Sequence, residues 1–339
     1  MAKARAIVKR RKSVKSTRKI TKTMQMIATA KFQKALKRAV AAKPFTYKVR
    51  EMVADLVEAV GEFKHPLIDS AERPKTNRVV VLVMVGNRGL AGAYNGNVLR
   101  MTERFLKEQA AAGIAVELNT AGKKAYSYFT FLKRTISHRY DPIVETTLFP
   151  EVQALADRLM KMCADGEVDA VYVAYTNFIS TGVQKADMLK LLPLTSATSA
   201  SEQLALHGKE SQEALDKVGH HPTGMTEIAK LEVQKRARGQ IMRTLPDELL
   251  RDDRLVYEFG PSAKELMEEL LPITVRTTLY QCFLDAATSE NVARMVSMKA
   301  ATDNADKLIK SLTMQYNRAR QSQITTELSE IMGGVEAMK

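Results

Sequence analysis

Near its C-terminal end the chain holds sixty consecutive residues, Ile273 to Met332, without a glycine or a proline. As one helix that stretch would run about 90 Å at 1.5 Å per residue, several times the ordinary globular length. Such a length without breakers predicts a coiled coil. The other end mirrors it. Met1 to Lys43 contains neither glycine nor proline, and Pro44 is the only interruption before Gly61. Sevenfold spacing from Ile7 picks out Val14, Thr21, Ala28, Ala35, Ala42 and Val49, with Ile20, Met24 and Ile27 flanking them on the same face. A seam of small residues lets another helix approach closely. On the C-terminal helix the matching stripe is Val275, Leu279, Phe283, Ala286, Ala293, Val296, Ala300, Leu308 and Leu312. "TDN" (Thr302, Asp303, Asn304) breaks it, and "GG" (Gly333, Gly334) follows its end. Two long helices at opposite ends of one chain pair most simply antiparallel with each other.

The middle has a different texture. "RVVVLVMV" reads as a buried strand, followed by "GNRGLAGAYNGN" and a helix from about Val98 to Ala112. "GIAVELNTA" is the next strand, then a helix containing "GKKAYSYF", a helix starting near Pro150, and two strands in "VDAVYVAYTNF" and "VQKADMLKLLPL". Strands alternating with helices imply a partly parallel sheet. The expected fold class is therefore α/β: a long antiparallel coiled coil of the terminal helices around a central Rossmann-like α/β domain. The divisions fall at 1–60, 75–194 and 262–339, with a polar, charge-mixed insertion at 195–254.

Charge is concentrated at one end. The formal net charge is +14, yet the first fifty residues hold 17 Lys or Arg and no acid, and the remainder is slightly acidic. That asymmetry marks an interaction element rather than a general surface property. A mitochondrial presequence fits "RAIVKRRKSVKSTRK" in composition, but the acid-free pattern runs on to Arg50 with a continuous seam. A nucleic-acid arm would give strongly salt-dependent binding. Against it, Phe32, Phe45 and Tyr47 are the only aromatics there and no leucine zipper follows. A merely solvated basic face is hard to keep, because so many like charges on one helix repel unless something negative surrounds them. The longest apolar run, "VVVLVMV", is too short to span a membrane.

Signs of bond chemistry are weak. Gly86, Gly89 and Gly92 in "GNRGLAG" are spaced by three, and no Gly-Lys-Ser/Thr closes the loop, so neither nucleotide fingerprint is met. The loop reads as a turn needing small residues and positive φ. Cys163 and Cys282 are expected to be buried free thiols. His220 and His221 lie in "VGHHPTG" with no further ligands nearby, which favours a solvated loop over a metal site. No catalytic residue, metal or cofactor is expected.

"SVKSTRKITKTMQMIATAKFQKA", "GNRGLAGAYNGNV", "TNFIS" with "LLPL", and above all "SENVARMVSMKAATDNADKLIKSLTMQYNRARQSQITTELSEIMGG" closely resemble the gamma-subunit family of F-type ATP synthases. The resemblance covers roughly residues 1–194 and 255–339, in order. It implies terminal helices paired inside a ring of three alpha and three beta subunits. The α/β domain would sit at the foot, against the epsilon subunit and the membrane rotor ring of c subunits, with one copy per complex. It implies torque transmission without bond chemistry in this chain, and no nucleic-acid partner. Met24 falls where the family has a residue near the acidic lever loop of beta. Arg294, Arg320, Gln321, Thr325 and Glu327 fall at family positions that contact beta or couple its catalysis to rotation. The insertion lies where photosynthetic relatives carry a regulatory segment, but it holds no cysteine, so thiol switching is not expected. Ala91 stands where relatives often carry Cys. With no leader evident, a peripheral protein on the cytoplasmic face of the bacterial inner membrane is expected; a mature organellar form stays open. Two other readings stay open at this level: a basic coiled-coil nucleic-acid-binding protein with an α/β domain, and a nucleotide-binding enzyme using the glycine-rich loop.

Overall fold

The computed structural model describes residues 2–60, 65–68, 75–194 and 262–336. Helix α1 (Ala2–Val60) and the C-terminal helix, α6 (Ala263–Glu336), have 59 and 74 residues. At 1.5 Å per residue they run about 90 and 110 Å. They are antiparallel. Val292 packs with Phe32, Thr302 bonds to Thr21, Asp306 pairs with Arg18, and Arg11 lies 5.2 Å from the Tyr316 ring centroid. As numbers rise along one helix they fall along the other.

The seam is narrower than the sequence suggests on one side and longer on the other. On α1 the buried positions are Thr21, Ala28, Phe32, Ala39, Thr46, Val49 and Leu56, which keep steps of three, four or seven. Ile20, Met24 and Ile27 flank the seam but point outward. On α6 the seam in this region runs Met298, Thr302, Ala305 and Leu312, while Val296 and Leu308 are more than half exposed. "TDN" therefore does not break the stripe, because Thr302 is one of its members. The face turns where α6 passes from contact with a whole domain to contact with α1 alone.

The two prolines do not end their helices. Pro44 lies inside α1 and Pro272 inside α6, which begins upstream at Ala263 and continues through Gly333 and Gly334. An interior proline costs about 3 kcal/mol. Around Pro272 that cost is offset by burial of Met267, Leu271, Val275 and Leu279, each worth about 1.5–3 kcal/mol.

Between the long helices lie β1 (Arg78–Met84), α2 (Tyr94–Ala111), β2 (Ala115–Ala121), α3 (Lys123–Phe131), β3 (His138–Arg139), α4 (Asp141–Thr146), α5 (Phe149–Ala164), β4 (Ala170–Phe178) and β5 (Gln184–Leu192). The sheet order is β3-β2-β1-β4-β5. The first four strands are parallel, with Val81 opposite both Leu118 and Tyr172, and β5 is antiparallel to β4. Both faces of β1 are covered, which explains its unbroken apolar run. Val80, Leu82 and Met84 face a core shared with α5 and α6; Val81, Val83 and Val85 face α2 and α3. The first core includes Phe283 together with Cys163 and Cys282, both buried and outside any disulfide, as expected. Strand β3 and helix α4 were not foreseen. The insertion at 195–254, with His220 and His221, lies outside the described residues.

One polar layer sits in the seam. Thr302 donates to Thr21 Oγ1 at 2.8 Å, and Thr21 Oγ1 lies 3.1 Å from the Arg18 carbonyl, to which it donates in turn. A buried polar pair fixes register at some cost in stability. Thr302→Val alone will lower stability by about 1 kcal/mol. The double change Thr21→Val with Thr302→Val will be close to neutral in a melt, yet will allow the helices to slip, visible as new off-register cysteine cross-links.

Candidate functional site

The six residues singled out from the sequence form no single pocket. Met24 is exposed on α1, in an outward apolar strip with Ile20 and Ile27 at i, i+4 and i+7 spacing. Extending the Thr21–Thr302 register, Met24 lies about 8 Å along the axis from Arg294. Arg294 is largely enclosed, and its Nη2 donates both to the Glu290 carboxylate and to the Gly89 carbonyl at 3.4 Å. Arg320, Gln321, Thr325 and Glu327 are exposed near the far end of α6. There Thr325 Oγ1 donates to the Gln321 carbonyl at 3.0 Å, and Glu327 accepts from Gln323 Nε2 at 2.8 Å. Arg320 is about 39 Å up the helix from Arg294. The candidates thus mark two levels on one shaft.

The glycine-rich turn belongs to the lower level. Leu90 and Gly92 have φ of 63° and 57°, so the positive φ expected there falls on Leu90 and Gly92. Gly86 N donates to Asn95 Oδ1 at 2.9 Å, which closes the turn onto the start of α2. A Cβ built on Gly86 would lie 2.5 Å from Glu290 Oε1. Nearby, the Tyr94 hydroxyl donates to the Ala286 carbonyl at 3.1 Å and Ser289 Oγ donates to the Thr176 carbonyl at 3.3 Å. These contacts lie outside the carboxyl ends of β1 and β4, the switch point where open parallel sheets bind nucleotides. Here the chain's own helix fills that place and sets a carboxylate against Gly86, where a phosphate would be repelled. The nucleotide-enzyme reading of the loop is displaced by this packing.

Sequence reasoning missed Glu290, Tyr94 and Ser289. Only the first left a trace, since Glu290 and Arg294 are an i, i+4 pair of favourable polarity. Tyr94 is fully enclosed: burial pushes its phenol well above the ordinary value, Glu290 adds to the rise, and Arg294 opposes it. A raised acid pKa stabilises the fold fully below the free phenol's value, about 10, and loses that contribution as pH climbs past it. Tyr94 will therefore ionise well above the ordinary phenol range in a phenolate-absorbance titration. Tyr94→Phe will remove the late component and flatten the alkaline loss of stability.

Elsewhere α1 presents Lys9, Arg10, Lys12, Lys15, Lys19, Lys22, Lys31, Lys34, Lys37 and Arg38 to the outside. Arg18, exposed itself, is paired to Asp306. Among the described residues no group of three or more His, Cys, Asp or Glu side chains could hold a metal ion, and no helix is long and apolar enough to cross a membrane.

A family model described as ATP synthase matches residues 3–338. The ATP synthase gamma chain of Rhodopirellula baltica is 38% identical over 339 residues, covering 100% of both chains. That of Leptospira biflexa is 36% identical over 338 residues with the same coverage. Two solved structures share the fold. One is a chain of the Euglena gracilis mitochondrial ATP synthase OSCP/F1/c-ring in rotational state 3, with TM-score 0.56, 17% identity and coverage of 99% of this chain and 95% of that one. The other is from the rotor of that synthase in rotational state 1, with TM-score 0.53, 16% identity and coverage of 95% and 99%. Identity of this order along the entire length of both chains is decisive, and the chain belongs to the ATP synthase gamma chain family.

Proposed function

We propose that this chain turns as the central shaft of an F-type ATP synthase, carrying torque between the ion-driven rotor ring and the catalytic beta subunits in either direction. It is a non-catalytic subunit. One observation carries the reading. The α1–α6 pair is a long antiparallel rod, and beyond Ser297 the contacts described for α6 are with α1: Thr302 to Thr21, Asp306 to Arg18, Tyr316 to Arg11. Such a rod has two exposed levels to present to a surrounding ring. The lower level offers Met24 with its apolar neighbours, beside the largely enclosed Arg294; the upper offers Arg320, Gln321, Thr325 and Glu327.

The partners are alpha, beta and epsilon subunits and the c-subunit ring, with this chain present once. Cations along α1 meet acidic segments of beta, an attraction that is long-ranged and loosely directional, so it does not lock one angle. Residues 75–194 form the foot, on the cytoplasmic face of a bacterial inner membrane, where attachment runs through the rotor ring. The expected outcome of purifying a tagged chain from membranes is capture of alpha, beta and epsilon, each beta-rich fraction hydrolysing ATP. Arg320→Glu in that complex will lower ATP-driven ion pumping about fivefold, the size of one lost exposed charge contact. Retention of polynucleotide that falls steeply with salt, without those subunits, would instead favour the basic-arm reading.

A further inference from the structure

The shaft and the α/β domain part company over a short span of α6. Below it, α6 packs into the core shared with β1, β4 and α5, with Val275, Leu279 and Phe283 buried. Above it, α6 has α1 for company. The last ties to the domain are the Tyr94–Ala286 and Ser289–Thr176 hydrogen bonds, the packing of Val292 with Phe178, and the pair formed by Glu290 and Arg294 against the 86–92 turn.

That pair is more than a helix-surface ion pair. Both side chains are largely enclosed, with 12% and 17% of their surface exposed, so salt screens them little. The Glu290 carboxylate occupies the space where Gly86 would carry a Cβ. Arg294 reaches past its own helix to the Gly89 carbonyl, 205 positions away in sequence. An i, i+4 pair by itself requires neither a glycine opposite it nor a backbone acceptor on another element.

We infer that Glu290 is a positioning residue: seated against Gly86, it holds Arg294 turned onto the Gly89 carbonyl, and the three together lock the 86–92 turn to α6 where the shaft leaves the domain. The lock sets how stiffly the foot and the free rod turn together. This rests on the shaft reading above and goes beyond it, because it concerns a joint within the chain rather than a contact with beta. The geometry also makes the joint directional in chemistry. A carboxylate must stand at 290 and a donor at 294, since the Gly89 oxygen can only accept.

The test uses the assembled complex, held to a surface through its beta subunits, with a bead attached to the foot at exposed residue 107 through Lys107→Cys. The angular spread of the bead is recorded with the complex stalled by a non-hydrolysable ATP analogue. Glu290→Gln keeps the shape and removes the charge, and Gly86→Ala pushes the carboxylate away while leaving both charges. Each is expected to widen the spread about twofold, as one charge-assisted contact is lost. The exchange Glu290→Arg with Arg294→Glu restores a helix-surface pair but not the bond to Gly89, and is expected to stay wide. An unchanged spread in Glu290→Gln, or full recovery in the exchanged pair, overturns the proposal. ATP-driven rotation of the bead in the unsubstituted complex is the separate check on the shaft reading.

Discussion

Gly122→Ala will unfold the α/β domain or keep it from forming. Gly122 has φ of +111°, a conformation that side chains rarely adopt. A Cβ there would stand 1.9 Å from the Val85 carbonyl oxygen and 2.8 Å from its carbon. These are backbone atoms, so nothing flexible can move aside. The same two residues are held on either side: Val85 N bonds to the Ala121 carbonyl at 2.9 Å, and Gly122 N bonds to Asp141 Oδ1 at 3.2 Å. Yielding at this point therefore separates the ends of β1 and β2 and unseats α4. Strain and broken bonds of this kind cost at least 4 kcal/mol, against a total domain stability of about 5–15 kcal/mol. The measurement is chemical denaturation of the isolated chain followed by circular dichroism, with the sheet signal lost first and the rod helices outlasting it. A melt within 1 kcal/mol of the parent would contradict the geometry.

Phe283→Ala will have the second-largest effect, and its functional sign differs. Phe283 is fully enclosed in the core where α6 meets β1, β4 and α5. Truncating a buried phenylalanine costs about 3–5 kcal/mol, part transfer and part residual cavity. The loss falls on the joint between shaft and foot, while the Thr21–Thr302 layer and the Arg18–Asp306 pair higher on the rod are untouched. The rod will still assemble with beta. Hydrolysis will persist while ATP-driven ion pumping falls about tenfold or more, because the foot is no longer turned reliably. Equal losses of hydrolysis and pumping would instead show that the damage reaches the rod.

Much of this architecture could be read from the residues before any coordinates. The sixty residues without a breaker and the "RVVVLVMV" run carry an unusual length or a strong apolar pattern, and each became the element expected. The sevenfold seam, by contrast, holds only at Thr21, Ala28 and Val49: Ala35 and Ala42 are partly exposed, and Phe32, Ala39 and Thr46 are buried instead. What escaped detection is short or nonlocal. Strand β3 has 2 residues and α4 has 6, too few to display a period. The breaker-free run starts only after Pro272, yet the helix extends back to Ala263 because Met267 and Leu271 hold the preceding turns in the core. Val296 and Leu308 looked like seam positions because a single stripe was drawn along α6, whereas its buried face turns at the edge of the domain. Of the site, the i, i+4 pair at 290 and 294 was visible in principle, but the reason for Gly86 depends on a partner brought near only by the fold.

The close seam has a mechanical corollary. Ala28, Ala39 and Ala305 are nearly or wholly hidden between the two helices, so the axes can approach to about 8–10 Å. Each helix is about 10–12 Å across with its side chains, which gives the rod an oblong section about twice as long as it is wide. An oblong bar spun inside a round sleeve is a cam. Its two narrow ends bear on opposite sectors of the wall, and which sectors depends only on its angle.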